Sequence, residues 1–156
     1  YMAKKSIDIQ TPYFIPDESV LEALQVAALS GVKVRIMVPC KPDHPFVYRA
    51  TEYYCRNLLK DGVEIYLYEE GFLHAKTMVV DGVASTVGTS NFDMRSFRLN
   101  FEINAFIYDE EISCKLQDIF EKDIENCLLA DEAYFKKQSR WKKLKQKFSR
   151  LLSPIL

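Results

Sequence analysis

The dipeptide Asp81-Gly82, set between the β-type runs Thr77-Met-Val-Val80 and Val83-Ala-Ser-Thr-Val87, constrains this chain more than any other feature. A type I′ turn needs positive φ at both central residues, and Asp-Gly is the pair that supplies it, so the flanking runs are expected to lie side by side and antiparallel. We read strands over 73–80 and 83–88. Side chains leave a strand alternately, so His74 and Lys76 share one face while Ala75, Thr77 and Val79 take the other. A two-residue loop pairs Val80 with Val83, Lys76 with Val87 and His74 with Thr89. That register brings Thr89, Ser90 and Asn91 to the strand end that holds His74 and Lys76. One nucleophile, one fixed cation and several neutral donors then converge, which is what a phosphate group needs. A lone His-x-Lys or a lone Asp-Gly means little; H-x-K-x4-D followed by G-x-x-N is far more specific.

The remainder of the chain alternates strand and helix patterns around this hairpin. A strand over 7–10 runs into a loop stiffened by Pro12 and Pro16. Asp17 caps a helix through Leu29 that Gly31 ends. A strand over 32–38, a helix over 45–60 and a strand over 63–68 precede the hairpin. A loop over 89–98, a strand over 101–108 and helices over 109–128 and 131–152 follow it. This order predicts an α/β fold with a mixed β-sheet sandwiched between helices. The expected organisation is one α/β domain over 1–135, carrying the H-x-K-x4-D motif, and a basic amphipathic helix over 136–156.

Hydrophobic residues make up 48% of the 156 and charged ones 28%, which suits a folded chain with a sizeable core. The chain opens on Tyr1 and passes almost at once into a strand, so we expect a piece of a longer protein. No apolar run is long enough to span a bilayer. Cys40, Cys55, Cys114 and Cys127 have no C-x-x-C spacing and are expected to be reduced core thiols; neither a metal site nor a cofactor is expected.

The net charge of −1 conceals two opposed halves. Residues 1–132 carry 13 Lys and Arg against 22 Asp and Glu, whereas residues 133–156 carry eight basic residues and no acid. A body so acidic argues against nucleic acid as a partner, because phosphate-backbone binding needs clustered cations. The tail points to an anionic surface. Trp141, Leu144, Phe148, Leu151 and Ile155 recur at steps of three and four, with Lys142, Lys143, Lys145, Lys147 and Arg150 largely off that face. This is the pattern of a helix lying on an anionic leaflet, or of one docked on its own domain with a solvated basic side.

The H-x-K-x4-D of His74, Lys76 and Asp81 resembles the signature of the phospholipase D superfamily. Gln10-Thr-Pro-Tyr-Phe-Ile-Pro-Asp17, Gly71-Phe-Leu-His-Ala-Lys76, Val87-Gly-Thr-Ser-Asn-Phe-Asp-Met-Arg-Ser-Phe97, Leu99-Asn-Phe-Glu-Ile103 and Arg150-Leu-Leu-Ser-Pro-Ile-Leu156 are similar to the C-terminal catalytic half of bacterial cardiolipin synthases. Thr89 stands where the superfamily more often has Ser, and the hydroxyl is kept.

The resemblance implies a phosphatidyltransferase that makes cardiolipin from two phosphatidylglycerol molecules and releases glycerol. His74 would attack phosphorus and form a phosphohistidine. Lys76 and Asn91 would hold the non-bridging oxygens, with Thr89 and Ser90 beside them. Glu102 would accept from the ring N–H of a catalytic histidine. Asp81, in the turn, is expected to sit away from phosphorus in a supporting role. Expelling an alcohol also needs a general acid, which in such enzymes is a second histidine from a second copy of the motif. His44 lacks the H-x-K pattern and reads as a loop residue. The second HKD motif must come from upstream sequence or from a second copy of the chain, and the second case would suit a single-motif homodimeric phospholipase D, phosphodiesterase or nuclease. The expected place is the cytoplasmic face of a bacterial membrane, with the anchor in upstream segments. Tyr13 and Phe14 are candidates for a substrate wall or for the core, and Arg95 and Arg98 for a lipid phosphate or an acidic neighbour.

Overall fold

The computed structural model describes residues 1–41 and 43–153. In chain order its elements are β1 (Ser6–Gln10), β2 (Phe14–Ile15), α1 (Glu18–Leu29), β3 (Lys33–Pro39), α2 (Pro45–Leu59), β4 (Glu64–Tyr68), β5 (Thr77–Val80), β6 (Ala84–Gly88), β7 (Phe92–Asp93), α3 (Met94–Arg98), β8 (Asn104–Ile107), α4 (Glu110–Ile124), β9 (Cys127–Leu129), α5 (Glu132–Lys136) and α6 (Arg140–Leu151). Seven strands form one sheet in the order β8-β6-β5-β1-β3-β4-β9. β1, β3 and β4 are parallel, and every other pairing in this sheet is antiparallel. The predicted mixed sheet between helices is therefore the observed architecture.

Strand alternation decides what each helix packs against. Ile7 and Ile9 of β1 and Val34, Ile36 and Val38 of β3 leave one face and join Leu24 and Ala27 of α1 and Ala50, Cys55 and Leu58 of α2 in the main core. The opposite face is covered by α4, and there the contacts are largely polar. Buried Asp8 accepts from Arg35 at 2.6 Å and from Gln117 at 3.1 Å, while Arg35 also reaches Glu121 at 2.6 Å. Gln10 donates to Asp123 at 2.6 Å. A small apolar cluster of Met37, Leu73 and Phe120 completes this layer, with the Arg35 guanidinium 4.9 Å from the centre of the Phe120 ring. Removing one partner of so buried a pair strands the other, which typically costs about 3–5 kcal/mol.

Several expected elements are corrected by tertiary contacts. The helix predicted over 109–128 stops at Ile124, and Cys127–Leu129 pairs with β4 as an edge strand. The helix predicted over 131–152 is two helices, because the Ser139 hydroxyl caps a new start by accepting from Lys142 N at 3.2 Å. Within the predicted loop 89–98 lie β7 and α3, the latter capped by Asp93. Phe14–Ile15, read as loop, pairs in parallel with β7. The strand expected over 101–108 is ordered as strand only at Asn104–Ile107. Cys55 is in the core, Cys40 and Cys127 are partly buried, and Cys114 is exposed rather than buried. Ile155, the last residue of the predicted apolar face, lies outside the described residues.

Candidate active site

The β5–β6 hairpin forms with the predicted turn and a shifted register. Asp81 and Gly82 both have positive φ, 54° and 69°, and Val83 N donates to Val80 O at 3.0 Å. The ladder then resumes one residue later, pairing Val80 with Ala84 and Thr77 with Val87. Val83 is left half-exposed outside it. The expected Lys76–Val87 pair is thus replaced by Lys76 beside Gly88, whose N–H donates to Lys76 O at 3.2 Å. His74 and Lys76 also precede the regular strand, which begins at Thr77.

Four chain segments meet at this end of the sheet. The N-terminal end of β5 lies beside the C-terminal end of β1, through the pairing of Gln10 with Thr77 and a 3.0 Å hydrogen bond from Thr77 Oγ1 to Gln10 Oε1. The C-terminal end of β6 lies beside the start of β8, with Gly88 opposite Asn104. That approach requires glycine: a Cβ at residue 88 would lie 2.1 Å from Asn104 Oδ1 and 2.3 Å from the Ile103 carbonyl. The buried Thr11 hydroxyl accepts from Phe92 N at 3.2 Å and fixes the segment that follows Asn91.

The His74 side chain is exposed and makes no hydrogen bond among the described residues; its ring is tilted against Phe72 with centroids 5.7 Å apart. Lys76 Nζ donates to the His74 carbonyl at 2.9 Å. Burial lowers the Lys76 pKa, and the nearby charges of Glu102 and Asp93 only partly offset this. Lys76 forms no ion pair among the described residues. It remains a cation in a partly dry setting without a carboxylate bound to it, the state in which it attracts an anion most strongly.

The three residues after Gly88 divide the work. The Thr89 hydroxyl donates to Glu102 and accepts from Ile103 N at 3.0 Å. Ser90 N donates to Asn104 Oδ1 at 3.2 Å, and its hydroxyl donates to Asn91 O at 3.3 Å. Asn91 is the one whose side chain makes no hydrogen bond among the described residues, although its Oδ1 is buried. Glu102 precedes β8 and contacts Thr89 and Asn100, not His74, among the described residues. The Thr89 hydrogen bond is the main reason that its carboxyl is held below the usual range. Among the described residues His74 is therefore not the histidine that Glu102 was expected to meet; the Glu102 carboxylate is held by Thr89 and Asn100.

Asp81 is at the far end of the hairpin, as expected. Its carboxylate accepts from the backbone N–H groups of Lys4, Lys5 and Ser6, each at 2.8 Å. Phe14 is fully buried core, and Tyr13 donates its hydroxyl to Asp43. Arg98 meets an acidic neighbour, Asp17, at 3.1 Å. His44 is exposed at the N-cap of α2. Sequence reasoning missed Thr11, Asp93 and Asn104 as positioning groups. Only Asn104 carried a signal, as a polar residue inside a predicted strand.

A family model described as the phospholipase D-like domain of cardiolipin synthase matches residues 1–124. A cardiolipin synthase of Listeria monocytogenes is 56% identical over 154 residues, covering 99% of this chain and 32% of the relative. The chain thus spans about a third of the length of such relatives. Among solved structures, phosphatidylserine synthase of Haemophilus influenzae superposes with a TM-score of 0.76 at 19% identity, covering 99% of this chain and 42% of that one. The phospholipase D family member Nuc of Salmonella typhimurium gives 0.71 at 21% identity, covering 84% and 85%. At such identities these two likenesses concern the fold.

Proposed function

Because this chain belongs to the family of cardiolipin synthase phospholipase D-like domains, we propose that its whole protein transfers a phosphatidyl group from one phosphatidylglycerol to a hydroxyl of another. The products are cardiolipin and glycerol. The observation that carries this reading is the exposed His74 beside Lys76, which has no ion-pair partner among the described residues, with the Asn91 amide, without a side-chain hydrogen bond among the described residues, on the adjoining segment.

In this reading a ring nitrogen of His74 attacks phosphorus. A P–N bond forms, the P–O bond to glycerol breaks, and the departing oxygen takes a proton from a second histidine outside this site. Lys76 and the Asn91 amide N–H stabilise the charge on the non-bridging oxygens, each favouring the crowded phosphorane over the ground state. The now neutral second histidine draws the proton from the incoming phosphatidylglycerol hydroxyl, whose oxygen displaces His74.

In this reading the partner motif is seated beside the site. β8 is an edge strand, and the exposed Phe101, Ile103 and Phe106 lie on it or immediately before it. An open edge with apolar side chains is a surface that another protein unit normally covers. The unit is the whole protein's other catalytic half or a second copy. The working place is the cytoplasmic face of the membrane. Among the described residues no helix is long and apolar enough to cross a bilayer, so the anchor in this reading is elsewhere in the protein.

The test is lipid chromatography of membranes holding the intact protein or its His74→Ala variant. We expect phosphatidylglycerol to become cardiolipin with the first and not with the second. Unchanged cardiolipin output from the variant would overturn the assignment.

A further inference from the structure

Helix α6 is docked with its polar side inward. Gln146 and Ser149 are fully buried, and Gln146 donates to Glu52 of α2 at 3.2 Å while accepting from Arg56 at 3.3 Å. Lys142 pairs with the buried Glu52 at 2.6 Å, and the Tyr54 hydroxyl reaches Ser153 at 3.2 Å. The side chains expected to hold an amphipathic helix to its domain point away instead. Trp141 is 73% exposed, Leu144 56%, Phe148 59% and Leu151 72%. They line a groove of about 920 Å³ between α2 and α6, together with half-exposed Phe46. Docking on the domain and contact with a leaflet were alternatives for this helix; the buried polar contacts make them compatible.

The groove's rim is cationic. Arg49, Lys145, Lys147 and Arg150 border it, no acidic residue lines it, and none of the four forms an ion pair among the described residues. Arg150 lies over the Tyr53 ring at 5.2 Å, which keeps its charge at the groove. An apolar floor ringed by unpaired cations is complementary to an anionic lipid surface: acyl chains above Trp141, Leu144 and Phe148, phosphates against the rim.

We propose that the α2–α6 groove seats the domain on an anionic leaflet by receiving phospholipid acyl chains and headgroup phosphates. The inference deepens the proposed function, on which it rests for its lipid context, by naming a contact surface separate from His74 and Lys76. It implies that the α2–α6 end of the domain faces the bilayer.

Trp141 is the single tryptophan of the chain, so its emission reports on this groove. The experiment adds vesicles of phosphatidylcholine, with or without phosphatidylglycerol, to the 156-residue chain. Expected are a blue shift with phosphatidylglycerol and quenching by lipids brominated on the acyl chains. The triple variant Lys145→Gln, Lys147→Gln, Arg150→Gln should keep its circular dichroism and weaken vesicle binding by about 100-fold. A Leu144→Gln, Leu151→Gln variant, altered only at exposed positions, should lose the quenching. Equal binding to neutral vesicles, or a blue shift that grows with protein concentration without vesicles, would overturn the proposal. In the intact protein the emission component lost on Trp141→Phe should also be quenched by brominated lipid; if it is blue-shifted but unquenched, protein covers the groove and the proposal fails. The His74→Ala chain should bind vesicles as the parent does. Cardiolipin synthesis without Trp141 quenching would thus refute this inference alone, and quenching without synthesis the proposed reaction alone.

Discussion

The Thr89 hydroxyl donates to Glu102, and Ile103 N donates back to the same hydroxyl. This couples the segment after β6 to the segment before β8 and lowers the carboxyl pKa. In the proposed reaction Thr89 then acts by positioning rather than by touching phosphate. Thr89→Ser should keep activity within about threefold of the parent, whereas Thr89→Val removes the partner of Glu102 and Ile103 N at an exposed position and should cost about 0.5–1.5 kcal/mol. Cardiolipin output and the urea midpoint should fall together in Thr89→Val; a fall in output with the midpoint unchanged would show that the hydroxyl meets substrate directly.

Lys76 titrates below the 10.5 usual for lysine, burial being the chief cause. The reaction needs it charged, so activity should be lost as pH rises through this lowered value, earlier than for an exposed lysine. Lys76→Arg should push the alkaline limb upward, because guanidinium stays protonated, even if its different shape lowers the plateau. A pH profile of cardiolipin formation with an unmoved alkaline limb would assign that limb to another group.

Asp81 shows the opposite behaviour. Burial opposes its ionisation, but the amides of Ser6, Lys4 and Lys5 outweigh this and hold the pKa below its usual 3.8. A depressed carboxylate stabilises the fold above its ordinary pKa and loses that contribution as pH falls through the folded value. Asp81→Asn, which tolerates the positive φ, should be less stable by about 1 kcal/mol at neutral pH. The gap should close below pH 3.8. Denaturant curves at pH 7 and pH 3 measure both.

Periodicity made much of this legible. The mixed sheet, α1, α2 and the turn at Asp81-Gly82 all follow from spacing. The register did not: the ladder skips Val83, so that Val80 lies opposite Ala84, an offset that the Asp-Gly pair alone does not announce. β9 was hidden for a related reason: Cys127-Leu-Leu129 suits helix or strand, and the open edge of β4 decides between them. Most misleading was the tail. Its apolar stripe is real, but the residues that dock it are Gln146 and Lys142, and no hydrophobic pattern reveals a polar lock around Glu52.

β5 is four residues long and is gripped at both ends, by Gln10 at Thr77 and by the Ser6 amide at Asp81. A short strand pinned at two points keeps its bearing, like a rail bolted at each end. His74 and Lys76 lie just beyond one bolt, so the direction in which they aim is set partly by the other. Damage near Lys4 to Ser6, far from any phosphate, would then show as poor aim in a protein that still folds.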